Sequence, residues 1–258
     1  MKKQISFLTS GKAGDILAAL PGIRNITDKA TIYIRLGVIS IVQKNSQMME
    51  ETELFNMDLF EMIKPLLMAQ PYIESVEVYS GQHIDYNLDI IRQQKISIPY
   101  GSLARWYFYA FPEMACDLSV PFITCEDTDT ALMVKDHLLI NLTSRYRNNW
   151  INYEFLNERF LDTPIYFLGT AGEAHDFVDR VPRAKWLQVD DFLDMAVAIK
   201  NCKLFLGNQS LPYWIAEGLK VPRVLEVCPF APNCIGEGGG FYDFHTQPAL
   251  EFYLKNLL

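Results

Sequence analysis

The sequence has no long apolar run, no evident pairing of its cysteines and no excess of positive charge. No uninterrupted apolar stretch approaches the roughly 18 residues that span a bilayer, so we expect no integral membrane segment. The 23 Lys and Arg residues are outnumbered by 31 Asp and Glu residues, which gives a formal net charge of −8. This charge disfavours a nucleic-acid backbone or an anionic membrane as the main partner.

The cysteine content favours a reducing compartment. There are five cysteines, an odd number, with no C-x-x-C pair and no Cys/His spacing typical of zinc. The first residues faintly imitate a secretory signal, but Lys12 and Asp15 interrupt the apolar stretch that such a signal needs. We therefore expect a cytoplasmic protein with reduced thiols and no metal site.

The sequence does contain a regular alternation of strand-like and helix-like segments. Residues 5–9 predict a strand, and the apolar stripe that begins at Ile16 predicts a helix. Residues 50–69 predict a further helix, which Pro65 should kink or end, and residues 86–90 predict another strand. The same pattern starts again at residues 137–142 and 164–168, and residues 211–219 predict a helix. Such an alternation predicts an α/β protein with parallel sheets and crossover helices.

The pattern loses its periodicity around residues 111–130, where prolines and acidic residues collect, so we place a linker there. The sequence thus predicts two Rossmann-like domains that face each other across a cleft, residues 1–125 and 126–258. The last segment, residues 248–258, predicts a helix that could pack back on the first domain.

Three predicted strands end in short turns rich in glycine and hydroxyl residues. These turns cover residues 10–15, 169–173 and 207–210, and a predicted helix follows each of them. Such a turn directs free backbone N–H groups and a helix N-terminus to the carboxyl edge of the sheet, where phosphates bind. Ordinary tight strand–helix turns are the alternative for any one of them.

Two longer stretches resemble a known family. Residues 14–24 (GDILAALPGIR) resemble the G-D-x-x-x-x-L-P-x-x-R signature of the heptosyltransferase-like glycosyltransferases with the GT-B fold. Residues 202–210 and 215–222 are similar to that family's C-terminal strand, G-N-D-S-G-x-x-H loop and following helix. The resemblance covers both halves of the chain in order.

This resemblance implies an inverting, metal-independent transfer of a hexosyl or heptosyl group from a nucleotide-diphosphate sugar to a hydroxyl acceptor. The nucleotide sugar is then a substrate, and no cofactor is implied. Asp15 falls where the family has its candidate general base, because a carboxylate there can take the acceptor's proton. The alternative for Asp15 is a capping role at the start of the helix, and both roles can coexist.

The remaining candidate residues divide between the two halves. The acceptor side contains Ser10, Gly11, Lys12 and Gly14. The donor side contains Ser144, Arg145, Arg147, Gly169, Thr170, Glu173, Asn208, Gln209, Ser210 and Glu217. Arg145 and Arg147 are expected near the diphosphate, where a guanidinium can neutralise the leaving group; solvated loop arginines are the alternative. Glu217 is a candidate contact to a ribose hydroxyl, with an exposed helix glutamate as the alternative.

The second-half loop departs from the family pattern. The usual aspartate, glycine and histidine are replaced by Gln209, Leu211 and Trp214. A side chain at position 211 lies where the backbone should closely approach a phosphate, and position 214 lacks a proton carrier. A catalytically degenerate nucleotide- or nucleotide-sugar-binding module therefore stays open, as does an epimerase-type enzyme that acts on a nucleotide sugar.

Overall fold

A computed structural model describes residues 4–43 and 49–258 of the chain. The first half contains a four-stranded parallel sheet with the strand order β5-β2-β1-β6, and a separate antiparallel pair β3-β4. These strands are β1 (Ile5–Thr9), β2 (Ala30–Ile34), β3 (Ile39–Gln43), β4 (Met49–Glu53), β5 (Ile73–Val78) and β6 (Tyr86–Asn87). The helices are α1 (Ala13–Ile26), α2 (Met57–Met68) and α3 (Leu103–Ala110), and a short 3₁₀ helix, Leu88–Gln93, follows β6.

The second half contains a six-stranded parallel sheet with the order β12-β11-β10-β7-β8-β9. The strands are β7 (Leu138–Asn141), β8 (Ile165–Leu168), β9 (Ala184–Leu187), β10 (Leu204–Asn208), β11 (Arg223–Glu226) and β12 (Phe241–Phe244). The helices are α4 (Asp129–Val134), α5 (Ala171–Arg180), α6 (Phe192–Asn201), α7 (Leu211–Leu219) and α8 (Gln247–Leu257).

Both sheets follow the doubly wound order, in which the chain reverses its direction of growth beside the first strand. In the first sheet this switch point lies between β1 and β6, and in the second between β7 and β10. Loops at a switch point separate and leave a crevice at the carboxyl ends of the strands, which is where ligands bind in open α/β sheets. The topology therefore selects four loops as the walls of a site, two in each half.

One hydrophobic core joins the two halves. The helices α1 and α2 of the first half contact α7 and α6 of the second half. Ile16, Leu20, Ile199 and Ile215 belong to the same buried cluster and are fully buried. Backbone hydrogen bonds also join the two halves: the N–H groups of Phe122 and Ile123 both donate to the carbonyl of Gly218, at 2.9 and 3.1 Å. The halves are thus packed on each other rather than only tethered.

The last helix packs on the second half. Leu250 and Leu254 of α8 are fully buried in a second cluster, together with Leu138, Ile140 and Phe244. The expectation that this helix could pack back on the first domain is therefore wrong. The physical reason is that β12 adds an edge strand to the second sheet, and α8 follows it directly and covers its apolar side.

Candidate functional site

Asp15 lies at the switch point of the first sheet and forms an ion pair with Arg92. One guanidinium nitrogen of Arg92, Nη2, is 2.5 Å from Oδ2 of Asp15. The backbone N–H of Lys12 donates to the same carboxylate oxygen at 3.1 Å. Asp15 belongs to the first turn of α1, so its charge also complements the positive end of that helix. Its capping role and its ion pair with Arg92 therefore coexist, and its role as a general base stays a prediction.

The loop after β6 holds Arg92 in place through Asp89. Nη1 of Arg92 donates to Oδ1 of Asp89 at 3.1 Å. The carboxylate of Asp89 in turn accepts from the backbone N–H (2.9 Å) and the hydroxyl (2.7 Å) of Ser10. The two loops at the switch point are thereby joined by an Asp15–Arg92–Asp89–Ser10 chain of polar contacts.

Gly11 makes this close approach possible. A Cβ atom at position 11 would lie 2.5 Å from Nη2 of Arg92 and 2.6 Å from Oδ2 of Asp15. Both distances are shorter than any side chain can accept without displacing the pair. An alanine at this position would therefore displace Arg92 or Asp15 from the geometry of the ion pair.

Burial raises the pKa of the Asp15 carboxyl above its ordinary value, and the charges of Arg92 and, less strongly, Arg145 oppose that rise. The side chain is nevertheless 26% exposed, so solvent reaches part of it. A carboxylate with a raised pKa in a cleft is a stronger proton acceptor than a surface aspartate.

Arg145, in the second half, is charged and lies near enough to Asp15 to lower the pKa of its carboxyl. Arg145 follows β7, and its guanidinium lies over the ring of Tyr146 at 4.9 Å from the ring centre. Its Nη2 donates to the hydroxyl of Tyr146 at 3.2 Å. Its Nε is buried and has no hydrogen-bond partner among the residues that the structure describes. A buried donor without a partner has already lost its hydration, so a side-chain rearrangement that brought it to an acceptor would gain a hydrogen bond at little further desolvation cost.

Arg147 is placed differently. Its Nε donates to Oε1 of Glu226 at 2.9 Å, and Glu226 is completely buried at the end of β11. The same carboxylate accepts from the backbone N–H of Asn148 (2.7 Å) and the hydroxyl of Tyr153 (2.6 Å). Arg147 thus anchors its own loop to the sheet, and contact with a diphosphate stays a prediction for its remaining guanidinium nitrogens.

The amides after β10 hold neighbouring loops. Asn208 is buried, and its amide nitrogen donates to the carbonyls of Thr143 (3.1 Å) and Arg145 (2.6 Å) while its oxygen accepts from the N–H of Thr143 (3.0 Å). Ser210 donates its hydroxyl to Oδ1 of Asn141 at 2.8 Å. Ser144 is exposed on the loop that Asn208 fixes.

Gln209 binds the loop after β11 instead of facing the cleft. Its amide nitrogen donates to the carbonyl of Ala231 (2.5 Å) and to Oδ1 of Asn233 (2.9 Å), and its oxygen accepts from the N–H of Cys228 (2.8 Å). Asn233 continues the connection to the first half, because its amide donates to the carbonyl of Ile98 at 3.0 Å. Gln209 therefore fixes a loop that bridges the two halves.

Trp214 packs against the start of α1. Its Cδ1 atom would lie 3.3 Å from a Cβ at Gly14, so the glycine lets the two helix starts approach each other. Pro212, in the first turn of α7, lacks the N–H that a helix start would otherwise offer to a phosphate. The start of α7 thus has fewer donors than an open phosphate-binding turn.

The predicted donor residues in the turn after β8 also have partners within the protein. Thr170 and Glu173 cap α5 reciprocally, and the N–H of Thr170 donates to Oε2 of Glu173 at 2.9 Å. The carbonyl of Gly169 accepts from Nε1 of Trp186 at 3.1 Å. These contacts occupy polar groups of the turn, and its contact with a phosphate stays a prediction.

Glu217 is a buried carboxylate that forms ion pairs within the protein. It is only 3% exposed, and its oxygens accept from Nε of Arg223 (2.6 Å), from Nζ of Lys220 and from the N–H of Glu237 (3.1 Å). The exposed position considered for it is therefore wrong: Arg223 is fully buried on β11 and needs an anion beside it. Its predicted contact with a ribose hydroxyl stays untested.

The sequence interpretation missed Arg92 and Asp89. A strand was predicted over residues 86–90, whereas β6 covers only Tyr86–Asn87 and a 3₁₀ helix follows. The available signal was the i, i+3 spacing of an acid and a base just after a strand that pairs with β1.

The described residues contain few other features that could form a site. Two surface depressions, of about 410 and 330 Å³, are lined by none of the predicted site residues. Within residues 4–43 and 49–258, no group of three or more His, Cys, Asp or Glu side chains is arranged to hold a metal ion. In the same residues no helix has the length and apolar character that crossing a membrane requires.

Comparisons with solved structures find the same fold. The E. coli heptosyltransferase WaaC solved with ADP has a TM-score of 0.65 at 11% identity, over 99% of this chain and 100% of that one. E. coli ADP-heptose LPS heptosyltransferase II gives 0.62 at 12% identity, over 96% and 94%. A glycosyl transferase family 9 protein of Veillonella parvula gives 0.59 at 11% identity, over 99% and 90%.

No protein-family model matches the sequence, and no curated protein matches it. The structural similarities confirm the predicted fold of two facing Rossmann-like domains. They also confirm, at the level of the fold, the resemblance to the heptosyltransferase-like glycosyltransferases that the sequence motifs predict.

Proposed function

We propose that this protein is a glycosyltransferase that moves a sugar from a nucleotide-diphosphate donor to a hydroxyl acceptor. The observation that carries the proposal is the close approach of the two helix starts, where Cδ1 of Trp214 lies 3.3 Å from a Cβ placed at Gly14, next to Asp15. The charge of Arg145, from the switch point of the second sheet, also lowers the pKa of Asp15. A proton acceptor and a cation on opposite walls of one cleft are what a displacement at an anomeric carbon needs. The solved relatives support the donor class, because WaaC has been crystallised with ADP and with an ADP-heptose analogue.

The proposed chemistry assigns one task to each wall. Asp15 takes the proton of the acceptor hydroxyl as its oxygen bonds to the anomeric carbon. The bond from that carbon to the diphosphate breaks on the opposite face, so the configuration inverts. Arg145 stabilises the charge that develops on the leaving diphosphate, with its buried Nε as the free donor. A guanidinium in this place takes over the charge neutralisation that a metal would otherwise supply.

A thermal-shift screen with nucleoside diphosphates and their sugar conjugates tests the donor first. A ligand at about 100 times its Kd stabilises the folded state by roughly 2.7 kcal/mol. We expect one nucleotide family to raise the melting temperature. If none does, nucleotide-sugar binding is refuted.

Two substitutions then separate binding from transfer. Asp15→Asn should abolish transfer and leave donor binding nearly intact, because the proton acceptor is lost and the donor wall is unchanged. Arg145→Ala should weaken nucleoside-diphosphate binding by roughly 1.5 to 3 kcal/mol. Arg180→Ala, on the outer helix α5, is the matched control and should change neither property. Preserved turnover in Asp15→Asn removes Asp15 as the base.

A binding module without turnover is the second candidate, and a specific observation favours it. Trp214 covers Gly14 at the point where the two helix starts meet, and Asn208 and Gln209 spend their amides on protein loops. Such a protein would bind a nucleotide sugar and release it unchanged. Incubation of the labelled donor alone and with a mixture of hydroxyl acceptors distinguishes the cases, since an epimerase-type enzyme would alter the donor without any acceptor.

We expect the reaction to take place in the cytoplasm. The five cysteines are all unpaired, which suits a reducing compartment. Labelling of the thiols in freshly lysed cells, with and without reductant, checks this expectation.

A further inference from the structure

Arg92 contacts Asp15 in a way that fixes the orientation of its carboxylate. Both Nη2 of Arg92 (2.5 Å) and the N–H of Lys12 (3.1 Å) bind the same oxygen, Oδ2. Two donors on one oxygen turn the carboxylate so that the second oxygen, Oδ1, points away from both. The hydroxyl of Tyr107, from α3, binds the backbone carbonyl of Asp15 at 3.1 Å and fixes the main chain from the other side.

Arg92 is itself fixed at its far end. Asp89 accepts from Nη1 of Arg92 and from both donors of Ser10, so the guanidinium is held between two carboxylates. Gly11 completes the enclosure, since any Cβ there would collide with both members of the pair. The absence of a side chain at Gly11 thus leaves the space in which Arg92 and Asp15 contact each other.

We propose that Arg92 is a positioning residue for Asp15: by holding Oδ2, it directs Oδ1 toward the acceptor hydroxyl as the atom that receives the proton. This inference rests on the proposed transferase function and extends it to a residue that the sequence motifs do not contain. Arg92 touches neither substrate nor reacting atom in this scheme. It acts through the carboxylate that it orients and keeps ionised.

The charge of Arg92 also acts against the effect of burial. Burial raises the pKa of Asp15, and Arg92 is the strongest of the influences that lower it again. The groups that face Asp15 from the surrounding elements are Arg92 and Asp89 after β6, Arg145 after β7, Tyr107 on α3 and Cys234 after β11. Among the cations of this set, only Arg92 is hydrogen-bonded to the carboxylate.

Arg92→Met and Arg92→Lys test the proposal together. In Arg92→Met the carboxylate loses its partner, and we expect kcat to fall roughly 100-fold with KM for the donor little changed. The acidic limb of the pH–rate profile should move up by roughly one pH unit or more, because an opposite charge at this distance lowers the pKa of an aspartate by that amount. Arg92→Lys should restore the position of the limb better than it restores kcat, since a lysine supplies the charge without the fork that also binds Asp89.

A carboxyl NMR titration of Asp15 keeps this test separate from the test of transferase activity. The signal is assigned by its loss in Asp15→Asn and is then followed with pH in the wild type, Arg92→Met and the control Arg180→Met. We expect the midpoint to rise in Arg92→Met alone. An unchanged midpoint overturns the role of Arg92 even if transfer is observed, and a raised midpoint in a protein without transfer activity refutes the proposed function but not the coupling.

Gly11→Ala gives a second approach that leaves both charged residues in place. The added methyl group should separate Arg92 from Asp15, so we expect the same upward shift of the titration midpoint and a smaller loss of kcat than in Arg92→Met. Wild-type behaviour of Gly11→Ala in both measurements would contradict the compact pair on which the inference depends.

Discussion

Glu226→Gln is the substitution that we expect to reveal most about how the donor-side loop is held. Glu226 is fully buried at the end of β11 and accepts from Nε of Arg147, the N–H of Asn148 and the hydroxyl of Tyr153, all within 2.9 Å. Glutamine keeps the shape of the side chain and removes its charge. The substitution therefore tests the ionic part of this contact with little change in packing.

The expected magnitude follows from the three hydrogen bonds. A hydrogen bond to a charged group contributes about 1.5–3 kcal/mol, and one between neutral groups about 0.5–1.5 kcal/mol. Each bond thus loses about 1 kcal/mol, and the three together about 3 kcal/mol, which agrees with the cost of about 3–5 kcal/mol for breaking a buried ion pair on one side. For a chain of this size the melting temperature should fall by roughly 6–12 °C.

Urea denaturation followed by circular dichroism measures this loss as a lower midpoint at an unchanged m-value. The matched control is Glu251→Gln, whose partner Arg159 is 58% exposed and whose loss should cost less than about 1 kcal/mol. In a double-mutant cycle, Arg147→Met and Glu226→Gln should be less than additive. Equal costs for Glu226→Gln and Glu251→Gln would refute the reasoning, because burial would then have no effect on the value of the charge.

Two further changes test the packing of the halves and the charge of Asp15. Gly218→Ala places a methyl group 2.5 Å from the Cδ1 atom of Ile123 and should lower the free energy of unfolding, measured by urea denaturation, by about 1–3 kcal/mol. The control Gly172→Ala has open space around it and should raise the free energy of unfolding by about 0.5–1 kcal/mol. If Gly172→Ala were the more destabilising change, the tight packing between the halves at Gly218 would be contradicted. Burial raises the pKa of Asp15 in the folded state above its value in the unfolded chain, which is about 3.9. The contribution of Asp15 to the free energy of unfolding is therefore largest below about pH 3.9 and is lost as the pH rises through the folded-state pKa. The stability of the wild type relative to Asp15→Asn should therefore fall from pH 4 toward neutrality, and a difference that is independent of pH would exclude a raised pKa.

Regular strand–helix units were predictable from the sequence because their burial pattern is local. Residues 5–9 and 211–219 were predicted with the bounds that β1 and α7 have in the structure. The predicted helix over residues 50–69 was wrong at its start, because β4 (Met49–Glu53) pairs with β3 in an antiparallel hairpin and α2 begins only at Met57. The helix α2 also continues through Pro65 to Met68, and its last turn is anchored by the fully buried Leu66 and Leu67.

The short edge elements were not predictable. Neither β9 (Ala184–Leu187) nor β12 (Phe241–Phe244) has a distinct periodic pattern, and each is defined by the neighbouring strand with which it pairs. The pairing of Asp15 with Arg92 belongs to the same class, because it joins residues 77 positions apart through the order of the strands. A motif shows which residue types are present, and only the topology brings separate loops together.

The predicted site residues of the two halves differ in how many of their polar atoms are already hydrogen-bonded within the protein. On the second-half wall, Asn208, Gln209 and Glu217 use their polar atoms to hold loops and a buried arginine, so few of the predicted donor contacts remain available to a ligand. In the first half, the carboxylate of Asp15 is bound by Arg92 and by the N–H of Lys12, and its side chain is 26% exposed. A nucleotide sugar bound here would therefore have its diphosphate recognised mainly by Arg145, by the remaining guanidinium nitrogens of Arg147 and by backbone N–H groups. We therefore expect a rise in salt concentration to weaken the Kd for the donor strongly and Gln209→Ala to change this Kd little. A salt titration of the donor Kd in the wild type and in Gln209→Ala measures both effects.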